Sequence, residues 1–395
     1  MSALLSELKV LDFSTLLPGP FASMMLADLG ANVLRVEAPN RPDTIRNLPP
    51  FDKGTSAWHA HLNRSKWSLT LDLKKPNAAE VVMDLVQEYD IVLEQFRPGV
   101  MERLGIGYET LYQVNPAIIY CAISGYGQTG PYKNRAGHDN NYLSLAGVMS
   151  HSGRKESGPA PWGVQVADVG GGSFGAITSI LAAVIYRMQT GEGQHLDVSM
   201  FDFTLAWQGP AISHYLIAGQ VPSAETSWLN GGSYYDFYQT QDRRYLSVGS
   251  LEPKFWHGFC TAIERPDLIP SGYNRNAEVQ QQLKQTIQSV IVQKPLKEWM
   301  DLFAAVDVCV EPVLEISEAI AHPQTQARDM VVDVPAPSQT IQRQVGSPFK
   351  MSKHTPSYKH IGRPPGSDTE RVLKEMGYSE EKIVQLKTQG VFGRV

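Results

Sequence analysis

Apolar and polar positions along the first half of the chain follow the periods of strands and helices in alternation. Residues 8–13 predict a strand, residues 21–29 an apolar helix that follows Pro18-Gly19-Pro20, and residues 33–36 the next strand. Further strands are predicted over residues 68–73, 91–94 and 117–123, with a helix over 77–88. This alternation is typical of βαβ units around a mostly parallel sheet, so we expect an α/β fold.

The pattern changes in the second half of the chain. A long apolar helix over residues 174–188 and a strand over 195–198 are followed by two antiparallel strands, over 234–240 and 245–248. Helices are then predicted over residues 253–264, 277–292 and 295–305. The segment therefore predicts a second, smaller α+β domain over roughly residues 200–325. Residues 334–363 are polar and proline-rich and predict a long connection, and Ser367 and Glu370 predict a capping box that begins a final helix.

Composition narrows the class of protein. The chain has 395 residues, of which 42% are hydrophobic and 19% charged, as in soluble proteins of two domains. The net charge of −5 gives no electrostatic signature of a nucleic-acid or anionic-membrane partner. Cys121, Cys260 and Cys309 are unclustered, which argues against a disulfide framework or a zinc site. The apolar stretch over residues 174–188 falls short of a membrane span, so we expect a cytoplasmic protein. We also expect no bound metal.

Two residues near the middle of the chain offer proton chemistry. His138, in Gly137-His138-Asp139, and Asp168, in Ala167-Asp168-Val169-Gly170-Gly171-Gly172, each lie in a glycine-containing loop. An enzyme that moves a proton between the two faces of a carbon needs two such groups. A covalent transferase needs only the carboxylate, as a nucleophile.

Each residue also has an ordinary interpretation. Asp168 precedes an apolar helix, where backbone N–H groups and the helix dipole would keep a carboxylate ionised, but an aspartate there is as readily an N-cap. A single histidine such as His138 is often packed or solvated. The prolines at positions 18 and 20 argue against the glycine turn of a dinucleotide-binding redox enzyme. Both uses of the two residues therefore stay open at this point.

Taken together, several stretches resemble the class III coenzyme A transferase superfamily (the CaiB/BaiF family), and within it most of all the α-methylacyl-CoA racemases. The stretches that carry the resemblance are Leu17-Pro18-Gly19-Pro20-Phe21, Leu26-Ala27-Asp28-Leu29-Gly30-Ala31, Phe96-Arg97-Pro98-Gly99-Val100-Met101-Glu102-Arg103-Leu104-Gly105, Ser124-Gly125-Tyr126-Gly127-Gln128-Thr129-Gly130, Gly137-His138-Asp139 and Ala167-Asp168-Val169-Gly170-Gly171-Gly172. Each alone is weak, and their combination across the chain is specific.

The resemblance implies a Rossmann-like large domain that binds coenzyme A and is built from both ends of the chain. Residues 1–199 would form its first part, residues 200–325 the small α+β domain, and residues 326–395 a linker and the return to the large domain. It also implies an interlocked homodimer in which the small domain contributes to the site across the interface.

The resemblance also assigns roles to residues. Asp168 matches the acidic residue that carries coenzyme A as an aspartyl thioester in the transferases and exchanges a proton in the racemases, and His138 matches the racemase histidine. Glu252 resembles the glutamate that supports this histidine, and Asp139 and Glu94 resemble a second acidic pair. The residues expected to contact coenzyme A are Arg97, Arg103, Arg64, Lys66 and Tyr142. Coenzyme A would enter as part of the substrate, with no separate bound cofactor.

His138 favours a racemase or epimerase of 2-methyl-branched acyl-CoA thioesters, which moves a proton between His138 and Asp168. Backbone N–H groups of Gly170 and Gly171 would stabilise the enolate oxygen. The alternative is a coenzyme A transferase between carboxylic acids, with Asp168 as nucleophile. Asn140 and residues 150–165 depart from the racemase pattern, and they leave the acyl group open.

Overall fold

The computed structural model of the protein describes residues 3–393. Its strands are β1 (Lys9–Asp12), β2 (Asn32–Glu37), β3 (Phe51–Asp52), β4 (Thr55–Ser56), β5 (Trp67–Thr70), β6 (Ile91–Glu94), β7 (Ile119–Ser124), β8 (His195–Ser199), β9 (Asp236–Gln239), β10 (Tyr245–Val248), β11 (Val310–Pro312), β12 (Val331–Ala336) and β13 (Thr340–Val345). Its α-helices are α1 (Pro18–Asp28), α2 (Ala57–Leu62), α3 (Ala78–Val86), α4 (Val100–Arg103), α5 (Tyr108–Val114), α6 (Asp139–Leu145), α7 (Gly175–Thr190), α8 (Met200–Ala206), α9 (Gly209–Ala218), α10 (Pro253–Ala262), α11 (Ala277–Ile291), α12 (Leu296–Phe303), α13 (Ile316–Ala321), α14 (Pro323–Ala327), α15 (Thr369–Glu375) and α16 (Glu380–Thr388). A π-helix, Ala167–Phe174, continues directly into α7, and 3₁₀ turns lie at Thr44–Asn47, Val148–Ser150 and Pro266–Tyr273.

The chain folds into two units. Of the described residues, 3–146, 163–206 and 324–393 form the first unit, and 147–162 and 207–323 form the second. Residues 147–162, which the sequence assigned to the large domain, therefore lie in the second unit. The reason is electrostatic, because Arg154 pairs there with Asp236 at 2.5 Å and with Glu225 at 3.1 Å.

A parallel sheet of six strands organises the first unit, in the order β5-β2-β1-β6-β7-β8. This confirms the predicted mixed α/β class with a large parallel sheet. The inner strands β2, β1, β6 and β7 are almost fully buried, as parallel strands between helices must be, whereas the edge strand β8 is partly exposed. The chain reverses its direction of travel across the sheet between β1 and β6, and the carboxyl ends of strands at such a point are where ligands bind in open α/β folds.

The C-terminal part of the chain covers the β5 edge of this sheet. Asp368 accepts the N–H of Ser68 at 3.0 Å, and its own N–H donates to the Ser68 carbonyl at 3.0 Å. The capping box predicted from Ser367 and Glu370 is wrong, since α15 begins at Thr369, with Asp368 and not Ser367 at its N-cap position. The Asp368 carboxylate is engaged by the strand edge and by Arg363, at 2.8 Å, instead of capping its own helix.

Residues 334–363 are not only a connection. Antiparallel strands β12 and β13 form a hairpin there, with Ser338 and Gln339 at positive φ (60° and 59°) in its turn. Val334 is buried together with Ala60 and Ile361. The alternation of apolar and polar residues in β12 was the sequence signal for this hairpin.

The apolar helix is longer than the sequence predicted. The π-helix and α7 together span Ala167–Thr190, 24 residues that include an 18-residue window with a mean hydropathy of 1.6, which is long and apolar enough to cross a membrane by length and composition. The predicted helix over residues 174–188 was too short to span a membrane, and the observed helix extends beyond it at both ends. Ile177, Ile180 and Ala183 are buried in the first unit, where α7 packs against β7, β8 and α1, so part of the apolar character serves the core.

The second unit has a core of its own. Antiparallel strands β11, β10 and β9 form a three-stranded sheet, as predicted for residues 234–248. Helices α10, α11 and α12 supply buried apolar side chains to the core of this unit. The Tyr234 and Trp256 rings stack with centroids 4.0 Å apart, which places large aromatic surfaces at the centre of this core.

Two histidines of α2 are held in the neutral form by their surroundings. His59 is 2% exposed, and burial, reinforced by Arg46 and Arg35, lowers its pKa to about 3. Burial and the nearby Arg64 lower the pKa of His61 to about 4. Both imidazoles therefore stay neutral in the folded protein at a pH at which they would be protonated in an unfolded chain.

Acidification is expected to weaken folding. Below about pH 6.5 the unfolded chain binds protons at these imidazoles and the folded chain does not, so each can remove up to about 1.4 kcal/mol of unfolding free energy per pH unit. The loss continues until the pH reaches the lowered pKa values. Urea unfolding at about pH 7, 6 and 5 measures this dependence. His61→Gln should flatten it and the exposed control His322→Gln should not; an equal slope for the two variants would contradict this assignment.

Candidate active site

The turn between β1 and α1 lies at the point where the chain reverses direction across the sheet. Gly19 is packed so closely that an added Cβ would lie 2.2 Å from the Cβ of Ser14. The N–H of Gly19 donates to Gln95 Oε1 at 2.9 Å, in the loop that follows β6. The Pro18 carbonyl accepts from the Ser173 hydroxyl at 2.7 Å. One turn thus connects the loop after β6 to the helix that carries Asp168.

His138 lies at the N-cap position of α6 and is exposed in this chain. Its N–H donates to Asn141 Oδ1 at 2.9 Å, and its carbonyl accepts the Asn141 N–H at 2.7 Å. These bonds fix the backbone of His138 at the start of α6. The next residue, Asp139, is the first of the helix.

Asp139 connects the segment of His138 with the turn of Asp168, and the predicted facing of His138 and Asp168 stays a prediction. The N–H of Asp168 donates to Asp139 Oδ1 at 3.0 Å, although the two residues are 29 positions apart. Since Asp139 follows His138 directly, this hydrogen bond ties the backbone of Asp168 to the residue next to His138. This contact had no signal in the sequence, where Asp139 was grouped with Glu94.

Asp168 lies in the first turn of the π-helix and is not its N-cap, which is Val166. The glycines that follow serve helix packing. A Cβ on Gly172 would lie 2.9 Å from Pro18 Cβ, and one on Gly171 would lie 3.1 Å from the Met200 carbonyl oxygen. A π-helical segment inside a longer helix is rare and frequently marks a functional site. The predicted donation from Gly170 and Gly171 to an enolate oxygen stays a prediction.

Tyr142 forms a wall of the same region. Its hydroxyl donates to the Gly137 carbonyl at 2.5 Å. Its ring packs so closely on two glycines that a Cβ added to Gly125 or Gly137 would lie 2.5 or 2.7 Å from the ring. The Tyr126 ring meets it edge-on at 5.2 Å between centroids. Tyr142 is buried, so these contacts hold the loop before His138 against α6. Its predicted contact with coenzyme A stays a prediction.

The electrostatics of Asp168 differ from the expectation. The sequence predicted a carboxylate kept ionised by the start of the helix, but burial, with the negative charge of Asp139 added to it, raises the pKa of Asp168 to about 7. Burial also raises the pKa of Asp139, and N–H groups of residues 167 and 168 oppose that shift. Asp168 can therefore hold or release a proton near neutral pH.

Glu94 is engaged by its neighbours along the chain. It ends β6, is 5% exposed, and accepts the Phe96 N–H at 2.6 Å. Burial, opposed by that hydrogen bond and reinforced by Glu102, raises its pKa to about 8. The groups that act on Glu94 are its neighbours along the loop after β6, and its predicted pairing with Asp139 stays a prediction.

The predicted coenzyme A contacts of Arg64 and Lys66 are corrected by the structure. The Arg64 side chain is completely buried and forms a two-bond pair with Asp28, at 2.9 and 2.5 Å. Lys66 is equally buried and donates to Asp12, at 3.2 Å, and to Asn63, at 3.1 Å. Because the hydrogen-bonding capacity of these cations is used within the protein, they belong to the core and not to a ligand-binding surface.

Arg97 and Arg103 have the opposite character. Both side chains are exposed in the segment that follows β6, and within residues 3–393 neither forms an ion pair. Cations at the carboxyl edge of a parallel sheet, without a protein carboxylate, are suited to the phosphates of a nucleotide. They remain the basic residues best placed for that role among those predicted.

Glu252 lies in the second unit, exposed at the N-cap position of α10. That unit also contains a cavity of about 620 Å³. Its lining includes Arg154, Asp236, Lys284 and Gln288, and none of the predicted site residues. Within residues 3–393, no group of three or more His, Cys, Asp or Glu side chains is arranged to hold a metal ion.

Sequence reasoning also missed Leu16, in the turn that precedes α1. Leu16 has a φ of 62°, which is strained for a residue with a side chain, and its N–H donates to Asp43 Oδ2 at 2.9 Å. The side chain is 39% exposed. Strained backbone of this kind clusters at functional sites, but a leucine carries no sequence signal for it.

Comparisons with known proteins identify the family of the chain. Residues 5–369 match the family described as CoA-transferase family III. The chain is 34% identical to the human alpha-methylacyl-CoA racemase, over 98% of this chain and 97% of that protein. It is 32% identical to the succinate–glutarate CoA-transferase of Agrobacterium fabrum, over 94% and 95%. The crystal structure of a CaiB/BaiF family protein from Brucella suis superposes with a TM-score of 0.83 and 27% identity, covering 95% of this chain and all of that one.

The packing of the glycines after Asp168 can be tested by Gly172→Ala. The added methyl would meet Pro18, so we expect the unfolding free energy to fall by about 1–3 kcal/mol, as for other overpacked sites. Gly163→Ala is the matched control, since nothing lies within 4 Å of its added Cβ. Chemical denaturation of both variants measures the difference. Equal stability of the two would show that the glycine is not needed for packing.

Proposed function

Because the chain belongs to CoA-transferase family III, we propose that this enzyme is a racemase or epimerase of 2-methyl-branched acyl-CoA thioesters. The observation that carries the proposal is the hydrogen bond from Asp168 to Asp139, which holds Asp168 beside the loop of His138. Relatives at 30–34% identity include both a racemase and CoA-transferases, so the choice between the two reactions rests on the site.

The reaction needs only a proton transfer in two steps. Neutral His138 removes the α-proton from one face, and the electrons of the C–H bond move into the thioester carbonyl to form an enolate. Protonated Asp168 then returns a proton to the opposite face, and the roles exchange in the reverse direction. A carboxyl with a pKa of about 7 is suited to this double use at neutral pH.

Coenzyme A transfer is the alternative. There the ionised Asp168 attacks the acyl carbonyl and coenzyme A leaves as a thiolate. The thiolate then attacks the aspartyl carbonyl of the resulting anhydride, which releases the donor acid as a carboxylate and forms the aspartyl thioester. An acceptor carboxylate takes over coenzyme A by the same two steps in reverse. The raised pKa of Asp168 favours the first proposal, because at neutral pH only part of the protein carries the ionised nucleophile. The full length of the match to CoA-transferases supports the second.

We also propose how the substrate is held and where the protein works. Arg97 and Arg103 would contact the phosphates of coenzyme A, which is part of the substrate, with no separate cofactor or metal. The free thiols of Cys121, Cys260 and Cys309 support a reducing, cytoplasmic location. An interlocked homodimer is supported by α9, which has no residue buried in its own chain.

Hydrogen exchange at the α-carbon tests the proposed reaction. The enzyme should incorporate deuterium from D2O into a 2-methylacyl-CoA without any acceptor acid, measured by NMR or mass spectrometry. His138→Ala should slow this exchange by about 10²–10⁴-fold, the usual contribution of one acid–base group. His322→Ala, an exposed histidine in the same chain, is the control.

The alternative predicts another result. A transferase would show no exchange without an acceptor acid, would follow ping-pong kinetics, and would yield an Asp168 derivative with hydroxylamine. That combination, with activity kept by His138→Ala, would replace the racemase proposal.

The dimer can be tested by light scattering of the purified protein. Leu216 and Ile217 of α9 are 75% and 88% exposed, an apolar surface that another chain would cover. We expect twice the chain mass for the unaltered protein and a shift toward the monomer for Leu216→Lys combined with Ile217→Lys. Val384→Lys, also at an exposed apolar position, should leave the mass unchanged. A monomer mass for the unaltered protein would contradict the proposal.

A further inference from the structure

Asp139 has a role at this site that neither its position in the sequence nor the resemblance defines. It is the first residue of α6 and is 7% exposed. Its carboxylate accepts the N–H of Asp168 at 3.0 Å and also interacts with the N–H of Ala167. These N–H groups belong to the first turn of the π-helix, where a helix has no partners of its own.

The helix has no cap within its own segment. Its N-cap residue is Val166, whose side chain cannot accept a hydrogen bond. Asp139 therefore supplies from another helix the acceptor that an N-terminal Ser or Asp normally supplies. The orientation of the turn that carries Asp168 depends on this contact.

Two carboxyl groups consequently lie close together without a counterion. Within residues 3–393, neither Asp139 nor Asp168 takes part in an ion pair. Two neighbouring carboxylates in a partly buried site cannot both be ionised at little cost, so the charge of Asp139 favours the protonated form of Asp168.

The remaining neighbours do not change this balance. Beside Asp139, α6 supplies Tyr142, and α1 supplies no titratable group before Asp28, which pairs with Arg64. Asp202 of α8 is exposed, and Asp197 of β8 accepts the Gln128 N–H at 2.9 Å. His138 precedes Asp139 and His195 begins β8, and within residues 3–393 neither histidine forms an ion pair with Asp139 or Asp168.

We propose that Asp139 is a positioning residue, which caps the turn of Asp168 and whose negative charge acts on Asp168, so that the pair enters each turnover with a single negative charge. The proposal rests on the proposed function of Asp168 as an acid–base group. It assigns to Asp139 two separable contributions, a hydrogen-bond acceptor for the helix and a negative charge for Asp168.

Asp139→Asn and Asp139→Ala separate the two contributions. Asparagine keeps an acceptor oxygen and removes the charge, whereas alanine removes both. In Asp139→Asn we expect Asp168 to titrate at a pH lower by about one unit or more, because a like charge has been removed. The pH above which α-proton exchange declines should fall by the same amount, with kcat reduced and KM nearly unchanged. Asp139→Ala should show the same shift together with a lower Tm.

The titration is measured by NMR of protein labelled with ¹³C-carboxyl aspartate, with Asp168→Asn used to assign the Asp168 signal. Asp202→Asn, an exposed acid on the neighbouring α8, is the matched control and should leave the Asp168 titration unchanged. If Asp139→Asn fails to fold, the reciprocal measurement decides, because Asp168→Asn should lower the titration point of Asp139. An unchanged titration of Asp168 in Asp139→Asn, or of Asp139 in Asp168→Asn, would overturn the proposal.

Failure of the proposed function gives a different result. An unaltered protein that exchanges no α-proton, but whose two aspartates still titrate as a coupled pair, would refute the racemase and leave the pair in place. Exchange in the unaltered protein with independently titrating aspartates would refute the pair and leave the racemase.

Discussion

The carboxyl edge of the large sheet depends on one buried carboxylate, Asp12, at the end of β1. It accepts from the Ser14 N–H at 2.9 Å, the Ser23 hydroxyl at 2.5 Å and the Lys66 ammonium at 3.2 Å. These partners come from the turn after β1, from α1 and from the segment before β5. The cost of removing these charges from water nearly cancels their attraction. Removal of one partner leaves the other unpaired, which typically lowers the unfolding free energy by about 3–5 kcal/mol. The turn that contacts the Asp168 helix is thus held in place by the buried charges of Asp12 and Lys66.

Much of the fold could be predicted because the large sheet is built from local signals. Residues 91–94 and 245–248 form the predicted strands, since apolar runs and period-two alternation belong to the segment itself. The start of α15 could not be predicted in the same way. Asp368 is withdrawn from helix capping by Ser68, 300 positions away, and local sequence contains no information about that partner. The place of residues 147–162 in the second unit has a similar cause, since Arg154 finds its carboxylates far along the chain.

The site shows the same division between residue identity and environment. Motifs and resemblance identified His138, Asp139 and Asp168 as a set, but they suggested an ionised Asp168 and a pairing of Asp139 with Glu94. Burial and a neighbouring carboxyl reverse the first expectation, and both follow only from three-dimensional contact. Arg64 and Lys66 were indistinguishable in the sequence from Arg97 and Arg103. Only the structure distinguishes the basic residues that pair with buried aspartates from those that are exposed and available to a ligand.

The closure of the β5 edge has a consequence for synthesis of the protein. The strand is complete once residue 70 has been translated, but its outer N–H and carbonyl groups find their partners only at residues 366–369. On the ribosome, almost the entire polypeptide must emerge before this edge is sealed. An open strand edge recruits other strands, so the nascent chain depends for most of its translation on chaperones or on rapid compaction to avoid aggregation.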